Sequence, residues 1–307
     1  MEHISVLLQE CIDGLAIQPN GIYVDGTLGR GGHSLEIVKQ LKGGHLFAFD
    51  LDETAIQQSR VVLKDYLDKV TLIHDNFASM KAHLNQQGIQ AVDGILFDLG
   101  VSSPQFDDQS RGFSYSLDHR LDMRMDQSQA MSAYEVINTY PKEELTRIFR
   151  DYGEERNANR IAGLIVKARE HEPIETTFQL VDLIRQGYPP KVLRQKGHPA
   201  KQVFQALRIE VNQELDSIQR ALQDAIDLVA VNGRIVVISF HSLEDRLVKQ
   251  AFRKVSQPDK VNRRLPSVEQ TMNYVEVNRK VILASEAELE MNHRAQSAKL
   301  RILKRVG

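Results

Sequence analysis

Over the first third of the chain, short apolar runs alternate with stretches whose apolar residues recur at helical spacing. This alternation predicts a parallel sheet with helices packed on its faces. Strands are expected at 21–25, 44–50, 69–74 and 92–98, with helices at 34–41 and 53–67 between them. The fourth run, VDGILFD, is apolar enough to be buried on both faces. From 103 to about 199 the alternation stops, and charged, helix-patterned segments at 141–151, 157–171 and 176–186 follow one another without an apolar strand. Gly187-Tyr188-Pro189-Pro190 reads as a breaker between them. Beyond Lys201, the residues Val203, Phe204, Leu207, Val211, Leu215, Ile218, Leu222, Ala225, Ile226 and Val229 mark one face of a single long helix. Asn232-Gly233 is the expected left-handed stop of that helix. A fifth strand at 234–239 and two more at 280–284 and 298–306 complete the pattern, the last alternating as an antiparallel strand does. The fold class is therefore α/β and Rossmann-like: a mostly parallel sheet, interrupted by a helical insertion and closed by an antiparallel last strand. The boundaries fall at 1–108 for the first part, 109–198 for the insertion and 199–307 for the second part.

Composition narrows the setting. Among 307 residues there is one cysteine, Cys11, which excludes an internal disulfide and fits a reducing, cytoplasmic compartment. No apolar run is long enough to span a bilayer, and the first residues lack a signal-peptide pattern, so no membrane partner is expected. None of the ten histidines has zinc-ligand spacing with a cysteine, so no metal is expected. The net charge of −2 speaks against a protein that coats nucleic acid over its whole surface. Basic residues are nevertheless concentrated in two places. Lys191, Arg194, Lys196, Lys201 and Arg208 lie in a stretch without acids, and Arg246, Lys249, Arg253, Lys254, Lys260, Arg263 and Arg264 surround Asp259 alone. Each run by itself is as readily a solvated face, but two of them around one site favour phosphate contacts.

The candidate site is the turn Asp25-Gly26-Thr27-Leu28-Gly29-Arg30-Gly31-Gly32-His33 after the first strand. A doubly wound sheet binds its cofactor at this switch point, and glycines there admit ligand close to the backbone. Asp50, at the end of the second strand, stands where a carboxylate accepts hydrogen bonds from ribose hydroxyls. The glycine spacing does not fit the dinucleotide fingerprint and favours a cofactor without pyrophosphate, such as S-adenosylmethionine. A nicotinamide-dependent oxidoreductase is the competing reading. Asp52 is expected only to cap a helix.

DGTLGRGGH at 25–33, FDLGVSSPQ at 97–105, RGFS at 111–114, LDMRMD at 121–126, GEER at 153–156 and ISFHSLEDR at 238–246 together resemble the ribosomal RNA small-subunit methyltransferase H family, also called MraW. The resemblance runs from Val6-Leu7-Leu8 to Asn292-His293-Arg294-Ala295 and is weakest over 261–278. It implies a class I methyltransferase fold with a helical insertion. It also implies S-adenosylmethionine-dependent methylation of the exocyclic 4-amino group of a cytidine in the decoding region of 16S rRNA, within the small ribosomal subunit. The cofactor contacts it implies are Gly31, Gly32, His33, Asp50, Phe77, Asp98 and Gln105. A homodimer is compatible with the sequence.

Chemistry adds its own constraints. The cytosine amine is a poor nucleophile because its lone pair is delocalised into the ring. Acceptors for its N–H groups would aim that lone pair at the methyl, and positioning of this kind supplies part of the roughly 7–11 kcal/mol available from orientation. The backbone carbonyls around Ser102, Ser103 and Pro104 are the preferred acceptors, although Ser-Ser-Pro is also ordinary turn chemistry. Methylation at carbon 5 needs a thiolate, and Cys11 is far from every candidate strand end. Transfer to the amine or to a ribose 2′-oxygen needs none. His241 follows the fifth strand and is a candidate for contact with the base or sugar, while Ser242 with Asp245 has capping-box spacing. Arg111, Arg120 and Arg124 are candidates for phosphate contacts or for internal ion pairs. A non-catalytic RNA-binding assembly factor is a third reading, disfavoured by the intact glycine turn and Asp98.

Overall fold

The structure is a computed structural model that describes residues 5–100, 111–194, 197–258 and 272–307. It forms two compact units, one of Met1–Gly100 with Leu215–Gly307 and the other of Val101–Glu214.

The first unit is built on seven strands: β1 (Ile22–Asp25), β2 (His45–Asp50), β3 (Val70–His74), β4 (Val92–Asp98), β5 (Val229–Ser239), β6 (Tyr274–Glu276) and β7 (Lys299–Arg305). Their order is β3-β2-β1-β4-β5-β7-β6. The first five run parallel, and β7 pairs antiparallel with both β5 and β6, as the alternation in the last strand predicts. Side chains alternate between two apolar layers because successive Cβ atoms point to opposite faces. Tyr23, Leu46, Ala48, Leu96, Val236 and Ile238 join one layer with α1 (Leu8–Leu15), α2 (Gly32–Gln40) and α3 (Glu53–Val62). Val24, Phe47, Phe49, Ile95, Phe97, Ile235 and Val237 join the other with α4 (Met80–Gln86) and the helices that flank β5. Burial on both faces explains why β2 and β4 read as nearly continuous apolar runs.

The second unit holds α5 (Ala133–Thr139), α6 (Lys142–Asp151), α7 (Ala158–Arg169), α8 (Thr177–Gln186), α9 (Pro190–Leu193) and α10 (Lys201–Asn212) around one core. Ser132 with Glu135 and Thr176 with Gln179 form capping boxes that start α5 and α8. Val203, Phe204, Ala206, Leu207 and Val211 of α10 belong to this core, so the helical unit extends to Glu214 rather than ending at 198.

Three expectations require correction. The long helix beyond Lys201 is two helices, α10 and α11 (Glu214–Leu228), separated at Gln213, whose φ of 49° closes α10 in a left-handed cap. Apolar spacing does not register that break, because the periodic face resumes one residue later. Asn232, at φ 71°, lies inside β5 and does not end a helix. There Val92 faces Val229 while Gly94 already faces Arg234, so the extra β5 residues form an irregularity in the ladder. The segment 280–284 makes only the isolated bridge Ile282 to Leu300, and the edge strand is β6 instead. Asn278 explains the exchange: its side chain donates to the Leu300 carbonyl and accepts the Ile302 N–H, occupying β7 groups that a continuous strand would need.

If α10 is part of the helical core, Leu207→Ala, which truncates a fully buried side chain, costs about 2–5 kcal/mol in urea unfolding. A cost below about 1 kcal/mol would detach α10 from that core.

Candidate functional site

The turn between β1 and α2 is held almost entirely by backbone. Gly26 N–H donates to the Leu96 carbonyl at 2.9 Å, Leu28 N–H to Phe49 at 2.8 Å and Gly31 N–H to Leu28 at 2.8 Å. Thr27 N–H donates to Asp25 Oδ1 at 3.0 Å and Gly29 N–H to Asp50 Oδ2 at 2.8 Å. Thr27 Oγ1 in turn accepts the Asp98 N–H at 2.6 Å, which ties the ends of β1 and β4 together. Gly29 and Gly31 adopt φ of 52° and 78°, where L side chains are strained. A side chain on Gly31 would press on Ser59, whose hydroxyl donates to the Gly29 carbonyl at 2.8 Å. One on Gly32 would overlap the Ser5 hydroxyl.

Four acids gather around this edge. Asp25 is buried, receives the Ser34 hydroxyl at 2.7 Å, and its carboxyl is raised by burial. Asp50 takes Gly29 N–H on one oxygen and Asp52 N–H at 2.9 Å on the other, and burial pushes it up to about 6. Asp98 ends β4 with Oδ1 sealed from solvent and without a donor among the described residues. Burial, then Asp25 and Glu244, push its carboxyl up to about 8. The basic group that reaches it is His33, whose Nδ1 lies 3.8 Å from Asp98 Oδ2. His33 is buried and donates from Nε2 to the Val6 carbonyl at 3.1 Å; desolvation holds the ring below its ordinary range, hence neutral. Among the described residues, no lysine or arginine forms an ion pair with Asp25, Asp50 or Asp98.

Glu244, fully buried, accepts the N–H groups of Phe240 at 2.7 Å and His241 at 3.2 Å. His241 caps α12 (Ser242–Ser256): its Nδ1 accepts the Glu244 N–H at 3.4 Å, and its Nε2 stands 2.9 Å from Glu244 Oε1. The capping box therefore starts one residue earlier than the Ser242–Asp245 spacing suggests, and Asp245 instead holds Arg301 of β7 at 2.8 Å. With both ring nitrogens turned towards Glu244, His241 is placed to shape the β5–α12 turn. Asp52 caps α3 as expected, accepting Thr54 N–H at 3.0 Å.

Gly31, Gly32, His33, Asp50 and Asp98 thus meet at the carboxyl ends of β1, β2 and β4. Phe77 follows β3 and packs 5.5 Å from the Phe97 ring, beside an apolar crevice lined also by Leu99 and Val237. Ser102, Ser103, Pro104 and Gln105 lie outside the described residues. Arg111 donates to the carbonyls of Arg124 and Met125, Arg124 forks onto Asp122, and Arg120 lies over the Tyr134 ring, so all three have internal roles in the helical unit. Asp25, Thr27, Ser59 and Glu244 were missed by sequence reasoning. Asp25 and Thr27 stood inside the glycine motif, but Ser59 and Glu244 carried no local signal beyond helical spacing.

The charge of the edge selects among ligands. A pyrophosphate is bound by unpaired N–H groups at a helix start. Here the N–H groups of Gly26, Thr27, Leu28, Gly29 and Gly31 are already spent, whereas those of Gly32, His33 and Ser34, which open α2, have no partner among the described residues, so the selection rests on charge. Buried acids without a fixed cation repel an anion. The acids favour a cationic nucleoside over a dinucleotide. Asp98 also makes a prediction for the ligand-free protein. Its folded value of about 8 lies above its ordinary 3.8, so the folded state holds a proton that the unfolded chain has lost. The stability it contributes therefore falls as pH rises through that window and levels off above 8. The unfolding temperature of Asp98→Asn should decline less between pH 6 and pH 8 than that of wild type; equal declines would contradict the assignment.

The model of the MraW methylase family matches residues 1–306. The ribosomal RNA small subunit methyltransferase H of Streptococcus pyogenes serotype M4 (strain MGAS10750) is 52% identical over 99% of this chain and 98% of that protein. The protein of the same name from Streptococcus dysgalactiae subsp. equisimilis shows the same identity and coverage. A solved putative rRNA-methylase from Clostridium thermocellum covers 99% of this chain and 100% of that chain at 14% identity, with a TM-score of 0.48, too distant to add to the topology above. The glycine turn, the cation-seeking acids and a match along nearly the whole sequence agree, and the chain belongs to the MraW methylase family.

Proposed function

We propose that the chain methylates the exocyclic 4-amino group of a cytidine in the decoding region of small-subunit rRNA, within the ribosomal subunit and in the cytoplasm. The observation that supports this most is the acid-lined carboxyl edge of β1, β2 and β4, with a buried Asp98 oxygen that has no partner among the described residues. S-adenosylmethionine supplies a methyl group activated by positive sulfur. Gly31 and Gly32 let the turn pack against Ser59 and Ser5 and so set the backbone that would face it, and Asp50 keeps lone pairs for the ribose hydroxyls. Phe77 offers a ring face to the adenine, and Asp98 a negative charge to the cation. His33 braces Asp98 and Val6, and Gln105 completes the contacts.

For the target amine, the acceptors are the carbonyls near Ser102, Ser103 and Pro104, which would orient its lone pair towards the methyl. His241, held by Glu244, fixes the β5–α12 turn and is the candidate to contact the base by packing. A base must be unstacked to be reached, at a cost of a few kcal/mol. Exposed Lys191, Arg194 and Lys201 of the helical unit, and Arg253 and Lys254 at the end of α12, are the cations available to phosphates. Arg208 is not among them, because it forks onto Glu214 at 2.8 Å.

Mass analysis of nucleosides released from subunits treated with the enzyme should show a cytidine methylated on the base at N4. A methyl on ribose would replace this reading with 2′-oxygen transfer. Gly31→Val and Asp98→Ala should each abolish transfer, a loss of at least about a hundredfold, with unchanged circular dichroism. Full activity in both variants would refute the placement of the cofactor.

A further inference from the structure

Asp98 is faced by groups from four elements. His33 comes from α2, Asp25 from β1, Glu244 from α12, and from α1 the buried Cys11 thiol, which, contrary to the expectation from sequence, lies near enough to the ends of β1 and β4 to feel Asp25 and Asp98. None of them brings a positive charge. His33 is neutral and commits its N–H to Val6, so Nδ1 presents a lone pair to the carboxyl. Asp25 and Glu244 repel a carboxylate there. Asp98 Oδ1 is shut off from water with no described donor, although a quarter of the side chain remains exposed. An unpaired charge in such a place is costly, and a carboxyl avoids that cost by keeping its proton.

We infer that Asp98 distinguishes the cofactor before transfer from the cofactor after it, ionising beside the sulfonium cation and holding a proton beside the neutral thioether. This inference rests on the cofactor placement proposed above. Its geometric basis is the neutral His33 imidazole 3.8 Å from one carboxyl oxygen, and a second, buried oxygen without a partner among the described residues. In the ligand-free enzyme the carboxyl is protonated up to about pH 8. A cation at the unpartnered oxygen supplies the missing charge, and the proton leaves for solvent. Transfer then breaks the carbon–sulfur bond with its electron pair left on sulfur, forms the nitrogen–carbon bond from the amine lone pair, and sets one amine proton free. With the positive charge gone from sulfur, the carboxylate again lies among acids and takes up one proton. The count balances: one proton leaves Asp98 on binding, one leaves the amine on transfer, and one returns to Asp98. The spent cofactor loses its ionic partner and the fresh one gains it. Asp98 is thereby a specificity-determining residue for the charge state of sulfur.

The test is isothermal titration calorimetry of the full-length protein at pH 7, with S-adenosylmethionine and with S-adenosylhomocysteine, each in two buffers of different ionisation heat. Subtracting the result for Asp98→Asn removes titration of the ligand's own amine. Wild type should release roughly one proton more than Asp98→Asn on binding the sulfonium and close to none more on binding the thioether. Wild-type affinity for the sulfonium should rise roughly tenfold from pH 6 to pH 7, with no such rise for the thioether. Equal release with both ligands, or saturable sulfonium binding without excess release, would overturn the inference and leave the cofactor placement standing. Absence of saturable sulfonium binding would overturn both. Should Asp98→Asn fail to fold or to bind either ligand, the infrared difference spectrum of wild type decides. Loss of a protonated-carboxyl stretch with the sulfonium but not with the thioether supports the inference, and the same change with both overturns it.

Discussion

The site depends on burying carboxylates where the sheet supplies no cation. Asp25, Asp50 and Asp98 end three adjacent parallel strands, and all three carboxyls are raised chiefly by burial. Part of that cost is offset by backbone donors: Asp50 takes two N–H groups, and Asp25 takes Thr27 N–H and the Ser34 hydroxyl. Among the described residues, Asp98 receives no such compensation at Oδ1. Acids held this way favour a positively charged ligand, because its arrival relieves a repulsion already present in the fold. The turn amides that secure Asp25 and Asp50 thus build the edge, and its acids disfavour an anion there.

Much of this was legible in the sequence. Strands β1 to β5 and β7 were visible as apolar runs, and the insertion was visible as a stretch without them. The glycine turn was legible as a strained turn at the end of β1, since Gly29 and Gly31 occupy backbone conformations that other residues avoid. Elements decided by a single side chain were not legible. Gln213 breaks a helix whose apolar face continues, and Asn278 diverts a strand by occupying its partner's backbone groups. The helical unit extends past its expected end because α10 is amphipathic in either context, and only packing shows which core receives Leu207. At the β5–α12 turn, serine and histidine are adjacent capping candidates. Buried Glu244, three residues after His241, selects the histidine.

The arginines of the insertion illustrate a second limit. Charge along the chain does not reveal which cations are already used. Arg111, Arg120 and Arg124 hold loop carbonyls, a tyrosine ring and an aspartate, and Arg169 holds the carbonyls of Ile137 and Tyr140. Lys191, Arg194 and Lys201 remain exposed on the same unit. A near-neutral protein can thus leave some cations exposed while spending other guanidinium groups on its own loops.

The most direct measurement of the central claim is a crystal structure of the protein grown with S-adenosylmethionine. The account predicts ligand density across the carboxyl edge of β1, β2 and β4, with ribose oxygens on Asp50 and a cationic group within reach of Asp98 Oδ1. Density elsewhere, or an edge closed by its own side chains while the ligand is bound, would contradict it.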